Sequence, residues 1–127
     1  MERQIALEIL LKFKQDKSYL NLTINAYFNR YDLTRQQKDF ITRVVYGTVQ
    51  NMLLLEYILK PHLHMRVKIY EKMLLLMSLY QHEMMDSIPD YAIINEAVEL
   101  AKKKKGMKTA RFIHAILQKT FQSSYQL

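Results

Sequence analysis

A chain of 127 residues, half of them hydrophobic, has the length of one domain with a core of its own, and two Gly with two Pro exclude a disordered chain. The absence of Cys removes disulfides, thiolate zinc sites and a cysteine nucleophile from this sequence, and two Gly cannot form a Gly-rich loop around a phosphate or a nucleoside cofactor. The formal charge of +7 lies wholly in residues 102–127, where seven Lys or Arg meet no acid, because residues 1–101 balance twelve basic against twelve acidic side chains; an excess so concentrated attracts a polyanion, most simply nucleic acid.

In chain order, "RQIALEILLKF" places Ile5, Ile9 and Phe13 on one helical stripe, and Leu20, Ile24, Tyr27, Phe28 and Tyr31 form a second. The two helices are expected to part near residues 16–18. Charges interrupt the opening apolar run, so it is not a signal peptide, and the longest apolar run, residues 73–77, is too short to span a bilayer. A cytoplasmic location is the expectation. Thr34 followed by Gln37 predicts a capping box that opens a long third helix, running to Pro61. Gly47, alone inside that helix, costs about 1 kcal/mol against Ala, which predicts a close crossing of two helices there.

A fourth helix is predicted over residues 68–85 with Met73, Leu74, Met77 and Tyr80 on its apolar face; "DSIP" breaks it. A fifth follows Pro89 and ends at Gly106, and a sixth starts near Lys108 with Phe112, Ile113, Ile116, Leu117 and Phe121 inward. No alternating strand pattern occurs. The fold class is all-α, one domain over residues 1–127 with helical halves of about 1–61 and 62–127, each the size of a small three-helix bundle.

Candidate catalytic groups are sparse. His62 and His64 in "PHLHM" lack a third ligand, and His82 and His114 lack a nucleophile to activate, so all four are expected at the surface or in structural hydrogen bonds. Asn95, Glu96 and Glu99 are expected to serve as helix-surface partners, with Glu99 paired to Lys103. No metal, cofactor or catalytic residue is therefore assigned. The basic segment is the strong feature. Lysines in a last turn complement the helix dipole, which accounts for Lys102, Lys103, Lys104 and Lys105, but Lys108 and Arg111 open the next helix, where the same dipole disfavours cations. An external anion would offset that cost.

At these residues the chain resembles a known family. "IPDYAIINEAVELAKK" followed by "ARFIHAIL" is similar to the signature of the NusB fold, in which a Pro-led helix with Asn-Glu-Ala-Val precedes a helix with a Phe-Val-Asn-like triplet. "RQIALEIL", "DFITRVVYGTVQN" and "MLLLMSLYQ" fall in the family's order, so the resemblance covers nearly the whole chain. "VYGT", "LYQ" and "IPDYAIINEAVELAK" look most like the N-terminal domain of ribosomal RNA cytosine-5 methyltransferases of the RsmB (Sun, Fmu) type. The chain departs from the pattern at His114, where the family usually has Asn, and in its tail "TFQSSYQL".

The resemblance implies a NusB-like fold of two small three-helix-type bundles and a non-catalytic RNA-binding domain that targets such a methyltransferase to 16S rRNA. It also implies that this chain is excised from a longer enzyme, with the S-adenosylmethionine site in a separate C-terminal domain acting in cis. The alternative is a free NusB-type transcription antitermination factor that binds RNA and a small ribosomal protein. By position, RNA contacts are expected at Arg3, Lys102, Lys103, Lys104, Lys105, Lys108, Arg111 and Lys119. Lys12, Lys14 and Lys17, in the balanced part of the chain, are expected to matter much less.

Overall fold

The computed structural model describes residues 1–17 and 19–123, and all regular elements among them are helical. Seven α-helices follow in order: α1 (Glu2–Asp16), α2 (Leu20–Arg30), α3 (Arg35–Gln50), α4 (Met52–Leu59), α5 (Ile69–Met84), α6 (Asp90–Lys105) and α7 (Met107–Gln122), with a single 3-10 turn at Lys60–His62 between α4 and α5. Helix α1 stops where Lys17 turns left-handed (φ 51°) and donates its N–H to the Phe13 carbonyl. This is the expected break; Ser18 itself lies outside the described residues, as does the tail from residue 124.

The capping box of α3 forms as its sequence predicts. The Gln37 N–H donates to Thr34 Oγ1 at 3.1 Å and the Thr34 N–H to Gln37 Oε1 at 2.9 Å. The helix does not run unbroken to Pro61, however. It ends at Asn51, whose Nδ2 donates to the Gly47 carbonyl at 2.8 Å while its own backbone moves to φ −108°, ψ 17°, and α4 starts afresh. A short amide side chain that competes for a helical carbonyl is what divides the predicted helix in two. At Gly47 the expected close crossing is present: α3 meets α5 there, and an added Cβ would overlap the Tyr80 ring.

Helix α5 differs most from its sequence reading. One apolar face was predicted, yet every residue from 73 to 81 is buried, including Leu75, Leu76, Ser78, Leu79 and Gln81. Nine consecutive residues cover all sides of a helix. The reason is position, because α5 packs against α1, α3, α4, α6 and α7 and so belongs to both helical halves. Its buried polar groups are satisfied locally: Ser78 Oγ donates to the Leu74 carbonyl at 2.8 Å and Gln81 Nε2 to the Met77 carbonyl at 3.0 Å. Against this centre α6 and α7 form a tight hairpin, brought together by the small buried residues Ala97, Ala101 and Ala110. No described helix is long and apolar enough to cross a membrane.

Candidate nucleic-acid interface

The α6–α7 hairpin turns on one residue. Gly106, at φ 103°, donates its N–H to the carbonyls of Ala101 and Lys102 and accepts from the Ala110 N–H. An L side chain rarely adopts that φ, so glycine is what lets α7 begin immediately after α6 ends. The turn thereby gathers Lys102, Lys103, Lys104, Lys105, Lys108 and Arg111, all exposed, at one end of the molecule.

These cations do not share a plane. Four consecutive residues on an α-helix spread through about 300°, and three grooves receive five of the six cations. Lys103 and Lys104 of α6 border a groove that Leu7, Glu8, Leu11 and Lys12 of α1 line as well, together with Leu100. Lys102 and Arg111 line another with Glu99 and the exposed His114. Lys108 lines the third, beside Arg66, Lys68 and Glu71 from the loop before α5 and its first turn. Lys105 sits over the Tyr70 ring, 5.2 Å from its centroid, and the Tyr70 hydroxyl donates to the Leu100 carbonyl at 3.3 Å. Burial first, then the nearby Glu71 charge, pushes the Tyr70 hydroxyl above its ordinary pKa, so it stays a neutral donor. The result is a cationic belt around the hairpin end.

Two expected contact residues stand apart from it. Lys119 lies eight residues beyond Arg111 on α7, about 12 Å further along the helix. Arg3 is committed to the interior. Its Nε donates to Gln81 Oε1 at 2.9 Å, its guanidinium lies 4.9 Å from the Phe40 ring centroid, and its Nη1 is 3.8 Å from Glu96. Burial pushes its pKa below the ordinary value, opposed by the charges of Glu96 and Glu2. Glu96 is thus a partner of Arg3. The ion pair expected between Glu99 and Lys103 is not formed among the described residues.

Three cations join the belt that the charge count set aside. Lys12, which the charge count groups with Lys14 and Lys17, shares a groove with Lys103 and Lys104. Arg66 and Lys68 flank Lys108. A sequence signal for these two existed: residues 57–70 contain Lys60, Arg66 and Lys68 and no acid. None existed for Lys12, whose neighbours Glu8 and Asp16 balance it.

Two of the four histidines take local partners. His82 Nδ1 lies 2.7 Å from Asp90 Oδ1 with its ring stacked on Phe121, and His62 Nε2 lies 3.2 Å from Ser123 Oγ. No group of three or more potential metal ligands occurs among the described residues.

Known proteins with similar sequences and structures carry this arrangement further. The chain is 41% identical over 118 residues to the probable ribosomal RNA small subunit methyltransferase B of Bacillus subtilis, matching 91% of this chain but 26% of that protein. It therefore spans about a quarter of that relative's length. It is 31% identical over 121 residues to the transcription antitermination protein NusB of Acetivibrio thermocellus, matching 92% of this chain and 83% of that one. The fold superimposes on NusB of T. maritima with a TM-score of 0.85 at 19% identity, covering 96% of this chain and 89% of that chain. It matches a chain in the crystal structure of the antitermination factors NusB and NusE in complex with dsRNA with a TM-score of 0.87 at 16% identity, covering 97% and 95%. With the NusB family profile matching residues 1–122, the helical order and the signature helices α6 and α7 together make this chain a member of the NusB family.

Proposed function

We propose that this chain is the RNA-binding domain of a ribosomal RNA cytosine-5 methyltransferase and delivers that enzyme to small-subunit rRNA in the cytoplasm. The observation that carries the reading is the belt of exposed cations around the Gly106 turn, to which the fold adds Lys12, Arg66 and Lys68. Long cationic side chains that outnumber the acids beside them, Glu8, Glu71 and Glu99, suit the phosphate backbone, whose neutralisation releases counterions. The 41% identity to part of a small-subunit rRNA methyltransferase supports the choice of enzyme. In this reading the methyl donor, S-adenosylmethionine, and the catalytic groups belong to a C-terminal domain in cis, and this domain contributes affinity and address.

The experiment has two arms. The isolated chain should bind single-stranded RNA with log affinity falling against log salt at a slope of roughly 3, for about four phosphate contacts at about 0.7 each. The whole enzyme deprived of this domain should keep its cofactor affinity and lose its selectivity for rRNA. Binding that ignores salt would sink the RNA reading, and unchanged rRNA selectivity would sink the targeting role.

A further inference from the structure

A further groove, between α1 and α2, lies outside the cationic belt and joins it. Its volume is about 360 Å³, and Lys12 and Tyr27 line both this groove and the one that Lys103 and Lys104 border, so the two meet at these residues. Two large side chains that folding leaves in water stand along it, Tyr19 at 77% and Leu22 at 62% exposure. Tyr19 immediately precedes α2 and Arg30 is the last residue of that helix, about 16 Å further along its axis. Arg30 also lines the groove and is exposed, with its guanidinium carbon 4.9 Å from the Tyr27 ring centroid and 5.8 Å from that of Tyr31. These ring contacts hold the head without using its N–H donors. Neither Arg30 nor Lys12 makes an ion pair among the described residues, and Asp16 is the one acid that lines the groove among them.

A single exposed ring is ordinary on a protein surface. An exposed ring beside two unpaired cations, in a groove that continues a cationic belt, has the composition of a single-strand site, where bases stack on aromatic faces while the backbone follows positive charge. A duplex keeps its base faces against one another, and a protein partner would need a wider apolar face than two side chains. We infer that single-stranded RNA bound at the belt continues past Lys12 into the α1–α2 groove, where one base stacks on Tyr19 beside Leu22 and a phosphate meets Arg30. Every base has a π-face, so this contact adds affinity and length to the site without reading sequence. The inference rests on the RNA-binding reading above and extends its contact surface from the Gly106 turn to α2.

The test compares two fluorescently labelled decamers, uridylate and a stable abasic analogue with the same phosphates, by anisotropy at neutral pH and low salt. Tyr19→Ala should weaken the uridylate at least about fivefold, the loss of one stacked base. It should leave the abasic oligomer and the salt slope unchanged, because neither depends on a ring. Tyr19→Phe, which keeps the ring, should bind both oligomers as wild type does. Arg30→Gln should weaken both and lower the salt slope by about 0.7, one single-strand phosphate. If Tyr19→Ala weakens both oligomers equally, Tyr19 acts through the fold and the stacking site is overturned. If it weakens neither while wild type binds with a steep salt slope, the groove belongs to a protein partner and the RNA-binding reading stands. Failure of wild type to bind either decamer would overturn both readings.

Discussion

Arg3 and the α6–α7 turn are both cationic, both fall where the family resemblance places RNA contacts, and they have opposite environments. Arg3 is held by Gln81, Phe40 and Glu96 and ties α1 to α5, α3 and α6. The lysines of the turn are exposed, and among the described residues only Lys105 has a ring beneath it. A charge whose donors are spent inside the protein contributes to folding, and one whose donors face water remains available to a phosphate. The comparison teaches that net charge locates a binding region only after the internally committed cations have been subtracted.

The sharpest way to test that division is to neutralise Lys104, Lys105, Lys108 and Arg111 together. If about three of the four contacts are lost, the roughly 50-fold fall in affinity that wild type undergoes between 50 and 200 mM salt should shrink to roughly threefold. The helical circular dichroism spectrum should not change, since all four side chains are exposed. A spectrum that changes, or a salt slope that does not, would break the comparison on the side of the turn.

Arg3→Ala should do the reverse. It leaves the fully buried Gln81 Oε1 without its donor and should cost about 2 kcal/mol in urea unfolding, in the range for hydrogen bonds to charged groups. RNA affinity, measured where the variant is folded, should stay within about twofold of wild type, within the normal scatter for a surface site not touched. A large loss of RNA affinity with no loss of stability would return Arg3 to the interface.

Lys12→Gln sharpens the boundary of the belt. Lining the same groove as Lys103 and Lys104, it should lower the salt slope by about 0.7, one single-strand phosphate. Lys14→Gln with Lys17→Gln is the control and should leave the slope as it was.

The smallest effect belongs to Glu2, next to Arg3 in the network. The hydrogen bond from Gln37 Nε2, at 2.8 Å, is the main cause that holds the Glu2 carboxyl below its ordinary value of 4.5, followed by its own backbone hydrogen bond, with burial opposing both. A depressed folded-state value means that the unfolded chain takes up its proton first as pH falls. The stabilisation is therefore present above about pH 4.5 and is lost on acidification below it. Glu2→Gln should cost at most about 0.5 kcal/mol at pH 7, as suits a partly exposed group. That difference from wild type should shrink progressively as unfolding is measured at pH values falling below 4.5. A gap that widens in acid would reverse the assignment.

Much of the fold was legible because the signals are local. Helical periodicity, the Thr34–Gln37 cap, Pro89 and Gly106 each act within a turn or two of chain, and each element they predicted is present. Asn51 was not read as a break, because its effect depends on which carbonyl the amide reaches. The burial of α5 on all sides was not legible either: its sequence shows an apolar face, and the surrounding helices decide how much else is covered.

The sequence by itself determined an all-helical NusB-family chain with its excess charge at one turn, because backbone geometry, side-chain period and charge are properties of neighbouring residues. Only the tertiary structure decided which cations that turn acquires and which it loses. Folding brings Lys12 from α1 and Arg66 and Lys68 from the loop before α5 to the turn, and it buries Arg3 against Gln81, pairings across dozens of residues that a linear charge count cannot see.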